Sequence, residues 1–169
     1  DLFGVDKKYR FLPIYSVSGL YRISNEPFFK PATGWMDNLS LRLSYGLQGN
    51  IDKNTSPYLI GTYGTQTILP NNTENSISIS SAPNDKLRWE KTASYNIGVD
   101  FSVLKSAINL SVDYYYRKGT DLIGVKNLPL ENGFNGMTIN WASMENKGIE
   151  VNLQTRNITT RNFSWYTTF

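Results

Sequence analysis

The 169-residue chain contains no cysteine and no histidine. Without cysteine there is no disulfide, no thiolate nucleophile and no Cys-based zinc site. Without histidine the usual general base and the commonest metal ligand are gone. A Ser–His triad and a His-ligated metal centre are therefore both excluded. Charge is sparse: Asp, Glu, Lys and Arg make up 18% of the residues, where soluble domains carry about 25%. The net charge of +3 is modest, and no basic run exceeds Lys7-Lys8, which argues against a nucleic-acid partner. No apolar run approaches the ~20 residues of a membrane-spanning helix, and helical spacing is not visible at useful length. A barrel strand escapes that test, because half of its residues are polar.

What the chain does have is alternation. In "SYNIGVDFSV", residues 94–103, Ser94, Asn96, Gly98 and Asp100 share one face and Tyr95, Ile97, Val99, Phe101 and Val103 the other. Residues 39–48 repeat this, with Leu39, Leu41, Leu43, Tyr45 and Leu47 opposite Ser40, Arg42, Ser44, Gly46 and Gln48. So do residues 108–116, with Ile108, Leu110, Val112, Tyr114 and Tyr116 opposite Asn109, Ser111, Asp113 and Tyr115. In "GIEVNLQT", Ile149, Val151 and Leu153 lie opposite Glu150, Asn152 and Gln154. Residues 11–23 read as mostly extended, 24–38 as a turn region, and "FSWYTTF" as the start of one more strand. Residues 49–85 read as a long polar loop in which "ISIS" could form a short strand, and roughly 125–140 as a second loop.

Such strands have two unlike sides. In a soluble sandwich the apolar side is the core; in a membrane barrel it faces lipid. Segments of 12–18 residues are long for a sandwich, whose strands run about 5–6. Tight connections at "LKSA" and "NITTRN" alternate with the two long loops, as in transmembrane barrels. That order sends 39–48 outward, 86–103 inward, 107–124 outward, 141–157 inward and 162–169 outward. Aromatics, 14% of the chain, fall near the expected interface levels: Trp89 and Tyr114–Tyr116 toward the outer side, Phe101 and Trp165 toward the inner. Pattern alone leaves barrel and sandwich both open. The chain stops in what reads as mid-strand, so it is expected to be a piece of something larger.

"LRWEKTASYNIGVDF", "INLSVDYYYRKGTDLI" and "SMENKGIEVNLQT", with "RISNEPFF" and "LSLRLSYGLQGN" before them, resemble the C-terminal barrel of SusC/RagA-type TonB-dependent outer-membrane transporters. The motifs stand in the family's order and touch most of the chain. Two departures are "FLPIYSVSGLYRIS", which lacks the family's Pro-Ser and Gly-Trp-Arg pattern, and Trp141, where a small or apolar residue is usual. The resemblance implies an all-β fold: residues 1–169 as an antiparallel transmembrane β-barrel segment, about 6–7 strands of a larger, 22-stranded barrel. It implies import of oligosaccharides or peptides, with a SusD-like surface lipoprotein as a lid, TonB as the energy coupler, and the lipid bilayer and the rest of the barrel as surroundings. The plug and TonB box are expected outside these residues. Alternatives are a soluble carbohydrate-binding β-domain and a passive porin-like barrel.

Arg42, Gln48, Asn96, Asp100, Asn109, Asp113, Glu150, Asn152 and Gln154 are read as lumen-lining. Asp100 and Asp113 invite a glycosidase reading. With a two-residue turn at Leu104-Lys105, however, Asp100 pairs near Asn109 and Asp113 near Asn96, which keeps the carboxylates well apart. In "ENKGIE", Glu145, Lys147 and Glu150 are read as a strand start with a bulge at Gly148, and Tyr114–Tyr116 as girdle and lumen packing. Loop 49–85, with Tyr58 and Tyr63, is the place for lid or substrate contact. No catalytic, cofactor or metal residue is assigned, and the substrate-binding residues are left open.

Overall fold

A computed structural model of the chain describes residues 8, 10–29, 34–51, 55–70, 72–134 and 136–169. Readings that fall on 1–7, 9, 30–33, 52–54, 71 and 135 lie outside the described residues. The elements in chain order are β1 (Tyr15–Arg22), β2 (Met36–Asn50), β3 (Ile60–Leu69), β4 (Asn72–Ser81), β5 (Glu90–Val103), β6 (Ile108–Asn127), β7 (Gly136–Thr159) and β8 (Ser164–Thr168). One sheet has the order β1-β2-β5-β6-β7-β8, and β3 and β4 form a second sheet of two strands.

Register follows the alternation. Tyr15 faces Leu47, Val17 faces Tyr45, Gly19 faces Leu43 and Tyr21 faces Leu41 across the antiparallel β1–β2 pair. Residues paired across strands share a face, so the odd rows of both strands form one apolar side. A slip of one residue would exchange all of them with Ser16, Ser18, Ser40 and Ser44.

Among the described residues no second layer covers that side. Among the described residues the buried apolar side chains are Ala82, Leu87 and Val103, too few for the interior of a sandwich. Ile97 is 48% exposed and Val151 54%, while Leu41 and Val112 are half-buried. The soluble-sandwich alternative fails on this point, since its apolar row would be its core.

Two loop assignments differ from the sequence reading. Residues 49–85 are not simply a loop: they hold the β3–β4 hairpin, ten residues a side. Residues near 125 and 140 belong to β6 and β7, which run 20 and 24 residues, so the loop between them shrinks to 128–135. Polarity explains the first misreading. A strand whose two faces both carry Thr, Ser and Asn shows no hydrophobic period, although its backbone pairs as well as any other.

The β5–β6 connection is Leu104–Ala107. Leu104, Lys105 and Ser106 all have φ near +55 to +58°, a left-handed run that non-glycine residues resist. Surrounding bonds hold it. Leu104 N donates to Trp35 O at 2.9 Å, Ala107 N to Val103 O at 3.0 Å, Ser106 N to the Asp37 carboxylate at 2.8 Å, and Arg156 Nη2 to Lys105 O at 2.8 Å.

The chain divides into two compact units. The first comprises residues 14–47, 93–118 and 145–169. The second comprises 1–13, 48–92 and 119–144.

Candidate functional site: a two-faced strand wall

On β2, Arg42 follows Leu41 and so projects to the polar side. Its Nε donates to Asp100 Oδ2 on β5 at 2.7 Å, and its Nη2 donates to Asp113 Oδ2 on β6 at 2.9 Å. The same Nη2 lies 3.0 Å from Ser111 Oγ and 3.1 Å from Asp100 Oδ1. Ser111 Oγ in turn donates to Asp100 Oδ1 at 2.8 Å. One guanidinium thus ties three strands together, using the fork geometry that suits it to paired carboxylates. Gly98 makes this possible. A Cβ at that position would run into the Asp113 carboxylate and the Arg42 guanidinium, 2.8 Å from Nη2. A glycine inside a strand marks such an approach.

This corrects the expected hairpin register. Asp100 and Asp113 do not lie well apart; they share one arginine. The reason is the connection, which uses the four residues Leu104–Ala107 rather than two. The new proximity does not revive the glycosidase reading. Both carboxylates are committed to one guanidinium that ties three strands together.

Toward the Leu104–Ala107 end, the same side carries a shallow depression of about 230 Å³ lined by Asn38, Ser102, Asn109, Asn152 and Gln154 with Asp100. Ser102 Oγ donates to Asn109 Oδ1 at 2.9 Å, and Ser40 Oγ to Asn38 Oδ1 at 3.0 Å. Six of the polar residues singled out from sequence, Arg42, Asp100, Asn109, Asp113, Asn152 and Gln154, are therefore gathered within the ion cluster or this depression. Asn96 lies beside Arg42 and Ser44. Gln48 and Glu150 have no bond to that group among the described contacts.

The opposite side carries rings. Tyr15, Tyr45, Tyr95 and Tyr116, from β1, β2, β5 and β6, form a row with centroid spacings of 5.9, 4.8 and 6.1 Å. Beyond Tyr116 on that side, Lys118 Nζ pairs with Glu145 Oε1 at 2.9 Å. At the other end Trp35 meets Phe101 at 6.2 Å. Two ring levels thus flank Ile97 and Val99. Such spacing suits aromatics that bridge an apolar layer and water.

"ENKGIE" is not a strand start: it is the middle of β7. Gly148 gives room to Tyr115 of β6, whose hydroxyl would stand 2.6 Å from a Cβ there. Sequence reading saw the glycine and took it for a bulge. It missed Ser111 as a bridging hydroxyl, since a serine in an alternating strand carries no signal of its partners.

In the second unit the polar groups work differently. Arg88 Nη2 and Lys91 Nζ both pair with Asp121, at 2.7 and 3.1 Å. The Asn140 side chain accepts from Arg88 N at 2.9 Å and donates to Arg88 O at 2.7 Å and Asp121 O at 2.6 Å. Glu90 accepts from Ile123 N and from Asn50 Nδ2, both at 2.8 Å. Asp121 stands at φ +58° inside β6. Its carboxyl is held below the usual carboxylate range, chiefly by its hydrogen bond with Arg88 and against the opposing effect of partial burial. The Trp89 Nε1 donates to Arg10 O at 2.7 Å, and its ring packs on Leu87.

A single antiparallel layer, apolar on one side and ion-paired on the other, defines a piece of transmembrane β-barrel wall. The family comparison makes this specific: residues 6–169 match the model described as "TonB dependent receptor-like, beta-barrel", and the chain belongs to that family. It is 34% identical over 175 residues to TonB-dependent receptor P26 of Formosa agariphila, covering 99% of this chain and 17% of the relative. It is 32% identical to TonB-dependent receptor SusC of Bacteroides thetaiotaomicron, covering 96% of this chain and 16% of that protein. Among solved structures, the RagAB peptide importer in the closed-closed state superposes with a TM-score of 0.78 at 27% identity, over 98% of this chain and 18% of that one. The open-open state gives 0.75 at 28% identity. The chain spans about a sixth of the length of the curated relatives it matches.

Proposed function

We propose that the whole protein imports oligosaccharides or peptides across the outer membrane, driven through TonB and capped by a SusD-like surface lipoprotein. In this reading the chain supplies wall, turns and outer loops of a 22-stranded barrel. A plug and TonB box encoded outside these residues open the passage. Segments 93–103 and 108–118 cross the hydrocarbon, since eleven tilted residues match the roughly 9–11 that a crossing strand needs. The row of Ile97, Val99, Val112 and Val151 meets lipid, and the Arg42 cluster faces the wet lumen. The loop region 49–85 is the place where a lid or the substrate would be met. The family's relatives are named as TonB-dependent receptors, and the superposed neighbour is a peptide importer. These names support coupled import over a passive pore.

The observation that carries the reading is the uncovered apolar row. A direct test uses the absence of cysteine in this segment. Single cysteines placed at Ile97, Val112 and Val151 of the full-length transporter, labelled with a small fluorophore, are expected to be quenched by brominated lipid. Labels at Asn96, Asn109 and Asn152 should escape quenching. Equal quenching on the two rows would sink the proposal.

A further inference from the structure

Arg117 is a polar-side charge outside the Arg42 cluster. It sits on β6 two residues beyond Tyr115 and four beyond Asp113, which the ion cluster fixes on the polar side. No positive φ interrupts β6 before Asp121, so Arg117 keeps that side. Its Cζ lies 5.6 Å from the Tyr115 ring centroid. The ring is itself seated over Gly148 of β7, where any Cβ would displace it. Arg117 is exposed, and no carboxylate pairs with it among the described contacts. Deeper along the same face the Arg42, Asp100 and Asp113 cluster sums to −1, while Glu150 is offset on that side by Arg22 and Arg156.

We infer that Arg117, held on the Tyr115 platform, is a binding site for a carboxylate group of the passing substrate. This inference rests on the import reading. The planar guanidinium matches a carboxylate in two-point geometry. Stacking on a ring limits its rotamers, so less freedom is lost when an anion docks. Arg42 is already taken up by two carboxylates, whereas Arg117 has none beside it among the described contacts and is open to an acidic substrate. The carboxylate could belong to an acidic peptide or to a uronic-acid sugar, and both carry the same chemistry.

The test uses the full-length transporter with its lid protein. Two mixtures are presented to wild type, R117Q and R117K: peptides paired as Asp against Asn, and oligosaccharides paired as uronic acid against neutral sugar. The bound fraction is read by mass spectrometry. The acidic member of a pair is expected to lose about tenfold in R117Q, the worth of one charge-assisted hydrogen bond. The neutral member should stay unchanged, and R117K should recover part of the loss. The mixture that responds identifies the source of the carboxylate. An unchanged acidic-to-neutral ratio in R117Q overturns the inference and leaves the import reading standing. Equal loss of both members also overturns it. If wild type binds nothing from either mixture, the import reading fails, and this inference with it.

Discussion

The two units use the same kinds of polar residue in different ways. In the crossing strands side chains bond mostly to side chains: Arg42 to Asp100 and Asp113, Ser111 to Asp100, Ser102 to Asn109. In the second unit they bond largely to backbone: Asn140 to Arg88 and Asp121, Glu90 to Ile123, Asn84 to Lys86 N and Thr138 O, Trp89 to Arg10. A regular ladder already satisfies its own N–H and C=O groups, so its side chains are free to pair with one another. Where the backbone leaves the ladder, as at residues 82–89 and at Asp121, those groups need partners, and side chains supply them. The "LRWEK" stretch looks like a strand motif, yet much of it is a bridge held by Asn140.

The largest test of this contrast substitutes lysine on the two apolar surfaces. Ile97→Lys on the lipid side should cost about 2–4 kcal/mol in the bilayer. Ile77→Lys on the β3–β4 hairpin, where Ile77 is already 62% exposed, should stay within about 0.5 kcal/mol. Urea unfolding of the full-length protein in lipid vesicles reads both. Similar costs at the two positions would erase the distinction.

Next come the two polar clusters. Arg42→Ala should cost about 2 kcal/mol, because it leaves two carboxylates side by side without their cation. Asn140→Ala should cost about 1–2 kcal/mol, because it abandons the Arg88 backbone groups. The second loss should appear as faster amide exchange confined to residues 84–92 and 119–124, and the first as a change in global unfolding. Exchange spread evenly after Asn140→Ala would contradict the local role.

A smaller effect comes with acid. Asp121 titrates below its ordinary value when folded, so its contribution is fully present above the unfolded carboxylate value of about 3.9 and is lost as pH falls through the lower folded value. Tryptophan emission near Trp89 should therefore hold steady from pH 8 to about 5 and change below about 4. Asp121→Asn should remove that step. A step that persists in the variant would place the titration elsewhere. The smallest effect is expected at the tight connection. Lys105→Asn should stabilise by a few tenths of a kcal/mol, because asparagine accepts the left-handed conformation more readily, and a melting shift of a degree or so would register it.

Much of the fold was legible in the sequence. Alternation at 39–48, 94–103 and 108–116 placed β2, β5 and β6 and sorted Leu41 from Arg42. The hairpin at 60–81 was hidden because Thr, Ser and Asn on both faces carry no period. The Asp100–Asp113 proximity was hidden because it depends on whether the turn uses two residues or four. Gly98 fell in the polar row and Gly148 was read as a bulge, but which side chain each makes room for lies on a neighbouring strand.

The sequence by itself determined which residues share a side and that the chain belongs in an antiparallel layer, because side-chain direction in a strand follows from residue parity alone. Only the tertiary structure decided which residues meet across strands, that Arg42 reaches over Gly98 to two carboxylates, and that the apolar side carries no second layer among the described residues. Register and sheet order are set by contacts between segments tens of residues apart, and no local pattern contains them.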